Sequence, residues 1–272
     1  MNIHPLKIDF HVTEAIRRFV YVYLIEAEHC WFVDSGVHGC ESQILGYMEK
    51  IGRKLSDIKG VFLTHAHPDH IGSSAWFREH AGCKVYASAG EKAWIENIDL
   101  QFRERPIPHF YKLAGRSSQV DITVKNGDVV ELEPDLTIKA IQTAGHSIGD
   151  MSYLVKNALF IGDAVPVKGD IPIFIDEKNT RETLNILECM PGVEMYCPAW
   201  DRCCGPEMMK RRIMEAKEWI DMLKDAVVSC DDGADNMELV KRICDRLRMP
   251  LFLDNPLFAR TVACLRESKV KI

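Results

Sequence analysis

The segment Thr64-His65-Ala66-His67-Pro68-Asp69-His70 sets three histidines and a carboxylate within six residues, and it narrows the folds open to this chain more than any other stretch. In an extended chain, side chains two apart face the same way, so His65 and His67 can aim two imidazoles at one point. They follow Val61-Phe62-Leu63, an apolar run that reads as a buried strand ending at Thr64. Pro68 is comfortable in the first turn of a helix, so Asp69 and His70 fall at a turn that opens one and point to a neighbouring position. Imidazole and carboxylate together suit zinc or iron. The fold must therefore bring a strand end and a helix start up to a cation.

Around this segment the pattern changes character several times. Residues 19–25 are β-branched and aromatic, and after a short turn residues 30–33 continue as a second strand. Apolar positions Ile44, Leu45, Met48 and Ile51 predict a helix over 43–51. A helix is predicted over 72–80 and a strand over 84–87, while residues 97–120, with Pro106 and Pro108, read as a long loop or cap. Strands follow at 128–132, 136–142, 151–155 and 158–161, then a helix at 180–190 and a strand at 193–197. From Pro206 onward the pattern is helical. No sustained strand–helix–strand alternation is read, which predicts mixed sheets sandwiched by helices.

The segment 65–70 resembles the HxHxDH motif of the metallo-β-lactamase superfamily, and four of that family's five motifs are present in order. Asp34, in Val33-Asp34-Ser35-Gly36, resembles the first; His146, in Thr143-Ala-Gly-His146-Ser-Ile-Gly149, the third; and Asp163, in Phe160-Ile-Gly-Asp163-Ala, the fourth. The resemblance spans roughly residues 19–200 and implies an α+β fold, a four-layer αββα sandwich. Residues 1–205 would form that domain, and residues 206–272 a helical C-terminal extension packed on it. It further implies one metal site of His65, His67 and His146, a second of Asp69 and His70, and Asp163 bridging the two. Asp34 would lie beneath the metals and orient a ligand.

The fifth motif lacks its histidine. Family members carry a Pro-x-His-Gly-like segment after the last core strand, where this chain has Tyr196-Cys-Pro-Ala-Trp200-Asp201-Arg-Cys203-Cys204-Gly205. Trp200 aligns with the missing ligand and reads as a pocket wall, and no histidine follows His146. Asp201, shifted by one residue, would complete the second site with extra negative charge and favour manganese or iron. Cys203 or Cys204 as thiolate would favour zinc, and water is the third alternative.

Composition excludes some partners. The chain has 272 residues and a formal net charge of −6, so it carries no general attraction for nucleic acid or anionic membrane. Its ten cysteines follow no repeating frame, the first residues show no secretory pattern, and no apolar stretch is long enough to span a bilayer. These features predict reduced thiols and a cytoplasmic location. A homo-oligomer is compatible with the helical extension.

The expected activity is hydrolysis. Two divalent metal ions, zinc first with iron or manganese as alternatives, would share a hydroxide that attacks the carbonyl of a small ester, thioester, lactone or amide. Asp69 would orient this nucleophile. Pro166 stands where lactonase-like members have Tyr, and 164–169 replaces the glycine-and-arginine segment of glyoxalase II enzymes. His38, His109, Tyr111 with neighbouring Phe110, and Trp200 are candidates for substrate contact. Two other readings share the ligands: a mononuclear iron oxygenase resembling persulfide dioxygenases, and a metal-containing effector without useful catalysis.

Overall fold

The computed structural model describes residues 1–14 and 16–269. One sheet contains β1 (Asn2–His11), β2 (Arg17–Glu26), β3 (Cys30–Val33), β4 (Ile58–Phe62), β5 (Lys84–Ser88) and β6 (Ile122–Val124), neighbours in that order. The pairs β1/β2 and β2/β3 are antiparallel; from β3 onward every pair is parallel. Parallel neighbours need crossovers. These are α1 (Glu41–Lys50), α2 (Pro68–Ile71) with α3 (Ser74–Ala81), and α4 (Ala89–Glu96), α5 (Ile98–Glu104) and α6 (Phe110–Ala114).

The second sheet contains β7 (Val129–Glu133), β8 (Leu136–Gln142), β9 (Met151–Val155), β10 (Ala158–Gly162) and β11 (Met195–Pro198), with α7 (Glu177–Glu188) entering between the last two. Three helices close the chain: α8 (Pro206–Cys230), α9 (Asn236–Leu247) and α10 (Pro256–Lys269).

Alternation along the strands sorts side chains into three apolar layers. Val61 and Leu63 face the α1 and α3 side, together with Val22, Phe32 and Val85. Phe62 faces the other way, stacked on Tyr86 at 4.1 Å and edge-on to Tyr153 of the second sheet at 5.3 Å. The outer face of the second sheet, with Leu159, Ile161 and Tyr196, packs on Leu184 of α7 and on Ile213, Ile220 and Leu223 of α8. The result is the expected helix–sheet–sheet–helix sandwich with C-terminal helices. Among the described residues no helix is long and apolar enough to cross a membrane.

Three expectations about elements change. Strand–helix–strand alternation is present from β3 to β6, obscured in the sequence by strands of only 3–5 residues. Residues 97–120, read as a long loop or cap, carry two short helices, α5 and α6. Asn97 caps α5 by accepting from Leu100 N at 2.9 Å, and the prolines between the two helices break the periodicity that would reveal them. The opening strand β1 was not anticipated; it buries only Leu6, Ile8 and Phe10, at every second position.

Gly72 fixes how the helix after the histidine segment lies against the loop after β3. A Cβ there would stand 2.2 Å from His38 N and 2.3 Å from Leu113 O, both backbone atoms that cannot step aside. Gly72→Ala is therefore expected to destabilise the fold by about 3 kcal/mol or more. A thermal melt reads this directly, and an unchanged midpoint would show that the crossing can yield.

Candidate metal centre

β4 ends just before Thr64, and the extended segment after it projects His65 and His67 into one space, where His146 arrives from the loop after β8. His67 Nδ1 lies 3.0 Å from His65 Nε2 and 2.8 Å from His146 Nε2. Asp163, just past β10, brings Oδ2 to 3.4 Å from His146 Nε2 and 3.9 Å from His65 Nε2. Its other oxygen, Oδ1, is 3.4 Å from His70 Nε2, which is also 3.6 Å from Asp69 Oδ2. Two groups could each hold an ion: His65, His67, His146 and Asp163; and Asp69, His70 and Asp163.

Two observations test the fit. Donors about 2.0–2.1 Å from a tetrahedral zinc stand roughly 3.3 Å apart, close to the spacing found here. His70 Nε2, Asp69 Oδ2 and Asp163 Oδ1 are buried and have no hydrogen-bond partner among the described residues. Buried polar atoms are normally satisfied, so three orphans around one point are consistent with a place for a cation. The residues present fit divalent metal.

Hydrogen bonds set which ring nitrogen is free. Asp34 accepts from Thr64 N at 2.8 Å and from Thr64 Oγ1 at 2.9 Å. With its hydroxyl proton thus directed, Thr64 Oγ1 can only accept from His65 Nδ1, 3.0 Å away. That leaves the Nε2 lone pair of His65 facing the centre. His146 Nδ1 donates to Ile173 O at 2.7 Å and His70 Nδ1 to Asp34 at 2.8 Å, with the same consequence. Burial holds His65 and His67 well below the usual imidazole range, and takes His146 down to about 4, so these rings are neutral donors. At His70 burial opposes charge, but Asp163, Asp34 and Asp69 outweigh it and raise the ring well above its ordinary value.

Several residues that hold this geometry carry no signal in the sequence. Glu91, on α4, accepts from Ala66 N at 2.8 Å, Ser147 Oγ at 2.6 Å and Gly149 N at 2.7 Å. One buried carboxylate thus ties the His65–His67 segment to the His146 loop. Gln101 of α5 donates to Ala66 O at 2.6 Å. Gly145, at φ +140, turns the chain into His146, and a Cβ there would lie 2.5 Å from Thr180 Oγ1.

Among the described residues, none of the fifth-motif segment joins either group. Asp201 pairs with Arg212 at 2.7 Å, and among the described residues it joins neither group. Cys203 lies against Cys197, Sγ to Sγ 3.6 Å, and Cys204 Sγ accepts from Arg212 at 3.1 Å. Trp200 lies under the Arg18 guanidinium at 4.3 Å and lines the cavity in front of the metal groups, as a pocket wall.

Three substrate candidates stand away from that cavity. His38 faces Glu41 at 3.5 Å, with its side chain half exposed. His109 is exposed in a left-handed turn before α6, and exposed Tyr111 donates to Asp99 at 2.9 Å. Their neighbour Phe110 is core. The backbone of His109 has a φ of +55.

The model of the metallo-beta-lactamase superfamily matches residues 15–197. A hydroxyacylglutathione hydrolase of Hyphomonas neptunium is 30% identical over 157 residues, covering 56% of this chain and 51% of the relative. A probable metallo-hydrolase, YqgX, of Bacillus subtilis is 31% identical, covering 55% of this chain and 66% of the relative. This chain thus spans about half to two thirds of those relatives' length. A metallo-beta-lactamase family protein of Thermus thermophilus superposes over 99% of this chain and 93% of its own, with a TM-score of 0.76 and 18% identity. A beta-lactamase domain protein from Burkholderia ambifaria covers 98% and 85%, with a TM-score of 0.71 and 18% identity.

Proposed function

Because this chain belongs to the metallo-beta-lactamase superfamily, we propose that it is a metal-dependent hydrolase acting on the acyl carbonyl of a small molecule: an ester, thioester, lactone or amide. One observation carries the reading: His65, His67 and His146 converge with Asp163 in one group, and beside it Asp69 Oδ2, His70 Nε2 and the other Asp163 oxygen are buried with no hydrogen-bond partner among the described residues. The relatives named for hydroxyacylglutathione hydrolysis support an acyl compound as substrate class.

In this reading His65, His67 and His146 would hold one divalent ion and Asp69 and His70 a second, with Asp163 belonging to both groups. Bound metal, zinc in the first instance, would supply a Lewis acid for the carbonyl and lower the proton affinity of water. Asp34 fixes the ring of His70, and through Thr64 that of His65. Asp69 orients the attacking nucleophile from the floor of the cavity. The second group has one donor fewer than the first, so it would hold an ion more weakly. Residues 1–205 would carry the chemistry and the extension 206–272, described as far as residue 269, would cover it through Phe252 and Leu257. The same reading takes a small molecule, not nucleic acid or membrane, as partner in the cytoplasm.

Metal-loaded protein, assayed on thioesters, esters, lactones and phosphodiesters, is expected to turn over acyl compounds in preference to phosphodiesters. A chelator should abolish that turnover and added zinc restore it. Iron content with sulfide-dependent oxygen uptake, and no acyl turnover, would overturn the assignment in favour of an oxygenase.

A further inference from the structure

The cavity in front of the metal groups is larger than a carbonyl and a water require. It measures about 460 Å³, and His67, Asp69 and Asp163 lie in its wall. Four separate parts of the chain contribute apolar lining: Phe10 from β1, Ile107 and Leu113 around the segment joining α5 to α6, Ile171 after β10, and Phe252 and Leu257 from the C-terminal extension.

Within this lining is a cation that makes no salt bridge among the described residues. Arg105 ends α5, its backbone N–H donating to Gln101 O at 2.7 Å. The residue lines the cavity, is only 6% exposed, and its Nη1 has no hydrogen-bond partner among the described residues. Burial draws its pKa down to about 10, with Asp69 opposing, so the guanidinium stays charged at neutral pH. Arg18, the other arginine of the cavity, is engaged: it pairs with Asp170 at 2.8 Å and lies over Trp200. A buried, unsatisfied charged donor is costly, and the acids whose field reaches it are already engaged: Asp69 and Asp163 in the metal groups, Glu91 with Ala66, Ser147 and Gly149.

We propose that Arg105 anchors a carboxylate on the substrate, whose apolar body fills the cavity while its acyl group faces Asp69 and Asp163. The inference rests on the hydrolase reading above and names the class of molecule that reading leaves open. A planar guanidinium fork with one open edge matches a planar, singly charged carboxylate. The substrate is therefore an apolar acid bearing a second, hydrolysable acyl group.

Calorimetric titration with 4-phenylbutyrate and with its neutral isostere 4-phenylbutyramide tests this without turnover. Protein of matched metal content is used, so that a carboxylate resting on metal alone can be told from one held by Arg105. Arg105→Met is expected to weaken phenylbutyrate about 10- to 100-fold while the amide changes little. Arg105→Gln, which keeps polarity and loses charge, should give the same selective loss. Unchanged phenylbutyrate affinity in both variants, or equal weakening of acid and amide, would overturn the proposal. So would wild-type protein that binds both probes equally. A protein that hydrolyses no ester yet shows the selective loss would retract the hydrolase reading and leave the carboxylate site standing.

Discussion

Replacing His67 with alanine is expected to abolish turnover and to lower metal affinity by more than about 100-fold, because partners that only orient a ligand already contribute 10- to 100-fold. His67 Nδ1 is the contact shared by His65 Nε2 and His146 Nε2, so its loss opens the first group at the centre. Neither remaining ring can move to compensate, since His65 is held at Thr64 and His146 at Ile173 O. Metal content after dialysis and the rate on any acyl substrate are the measurements. Circular dichroism should report a folded chain, because His67 lines the cavity instead of the packed layers between sheets. Full activity in His67→Ala would refute the assigned chemistry.

Glu91→Ala is expected to have the next largest effect, through position alone. The carboxylate touches no metal group; it accepts three hydrogen bonds from the two segments that carry His65, His67 and His146. Removing it leaves the Ala66 and Gly149 N–H groups buried without an acceptor, at roughly 1–3 kcal/mol each. Loss of about 3–5 kcal/mol of stability should accompany a 10- to 100-fold weaker metal affinity. Glu91→Gln separates the two contributions. Its single carbonyl oxygen can replace the one that serves Ser147 and Gly149, but not also the one that serves Ala66. An intermediate metal affinity in a well-folded Gln variant is therefore expected. If both variants bind metal as tightly as the wild type, the carboxylate is only a packing group.

The fold is largely legible because its layers alternate along the strands. Val61 and Phe62 name the two faces of β4, and Leu136 to Gln142 is read to its observed ends. The cluster is legible because spacing does the work: residues two apart in an extended segment, then a proline-opened helix. Glu91, Gln101 and Arg105 are not, for one physical reason. Each is a single polar residue on or at the end of a short helix, where a solvated surface position gives the same pattern. The partners that make Glu91 and Gln101 structural, such as Ala66 and Ser147, lie far off in sequence. Arg105, in the run Arg103-Glu104-Arg105, looks like exposed charge until α5 folds over the histidines. Asp201, one of three alternatives for the missing histidine, pairs with Arg212 of α8, a partner that its neighbourhood in the sequence does not announce.

Anomalous diffraction from a crystal grown with zinc tests the metal centre most directly. The strongest peak is expected between His65 Nε2, His67 Nδ1, His146 Nε2 and Asp163, with a second, weaker one beside Asp69, His70 and Asp163. Zinc found only at surface histidines, with those four donors turned away from one another, would contradict it.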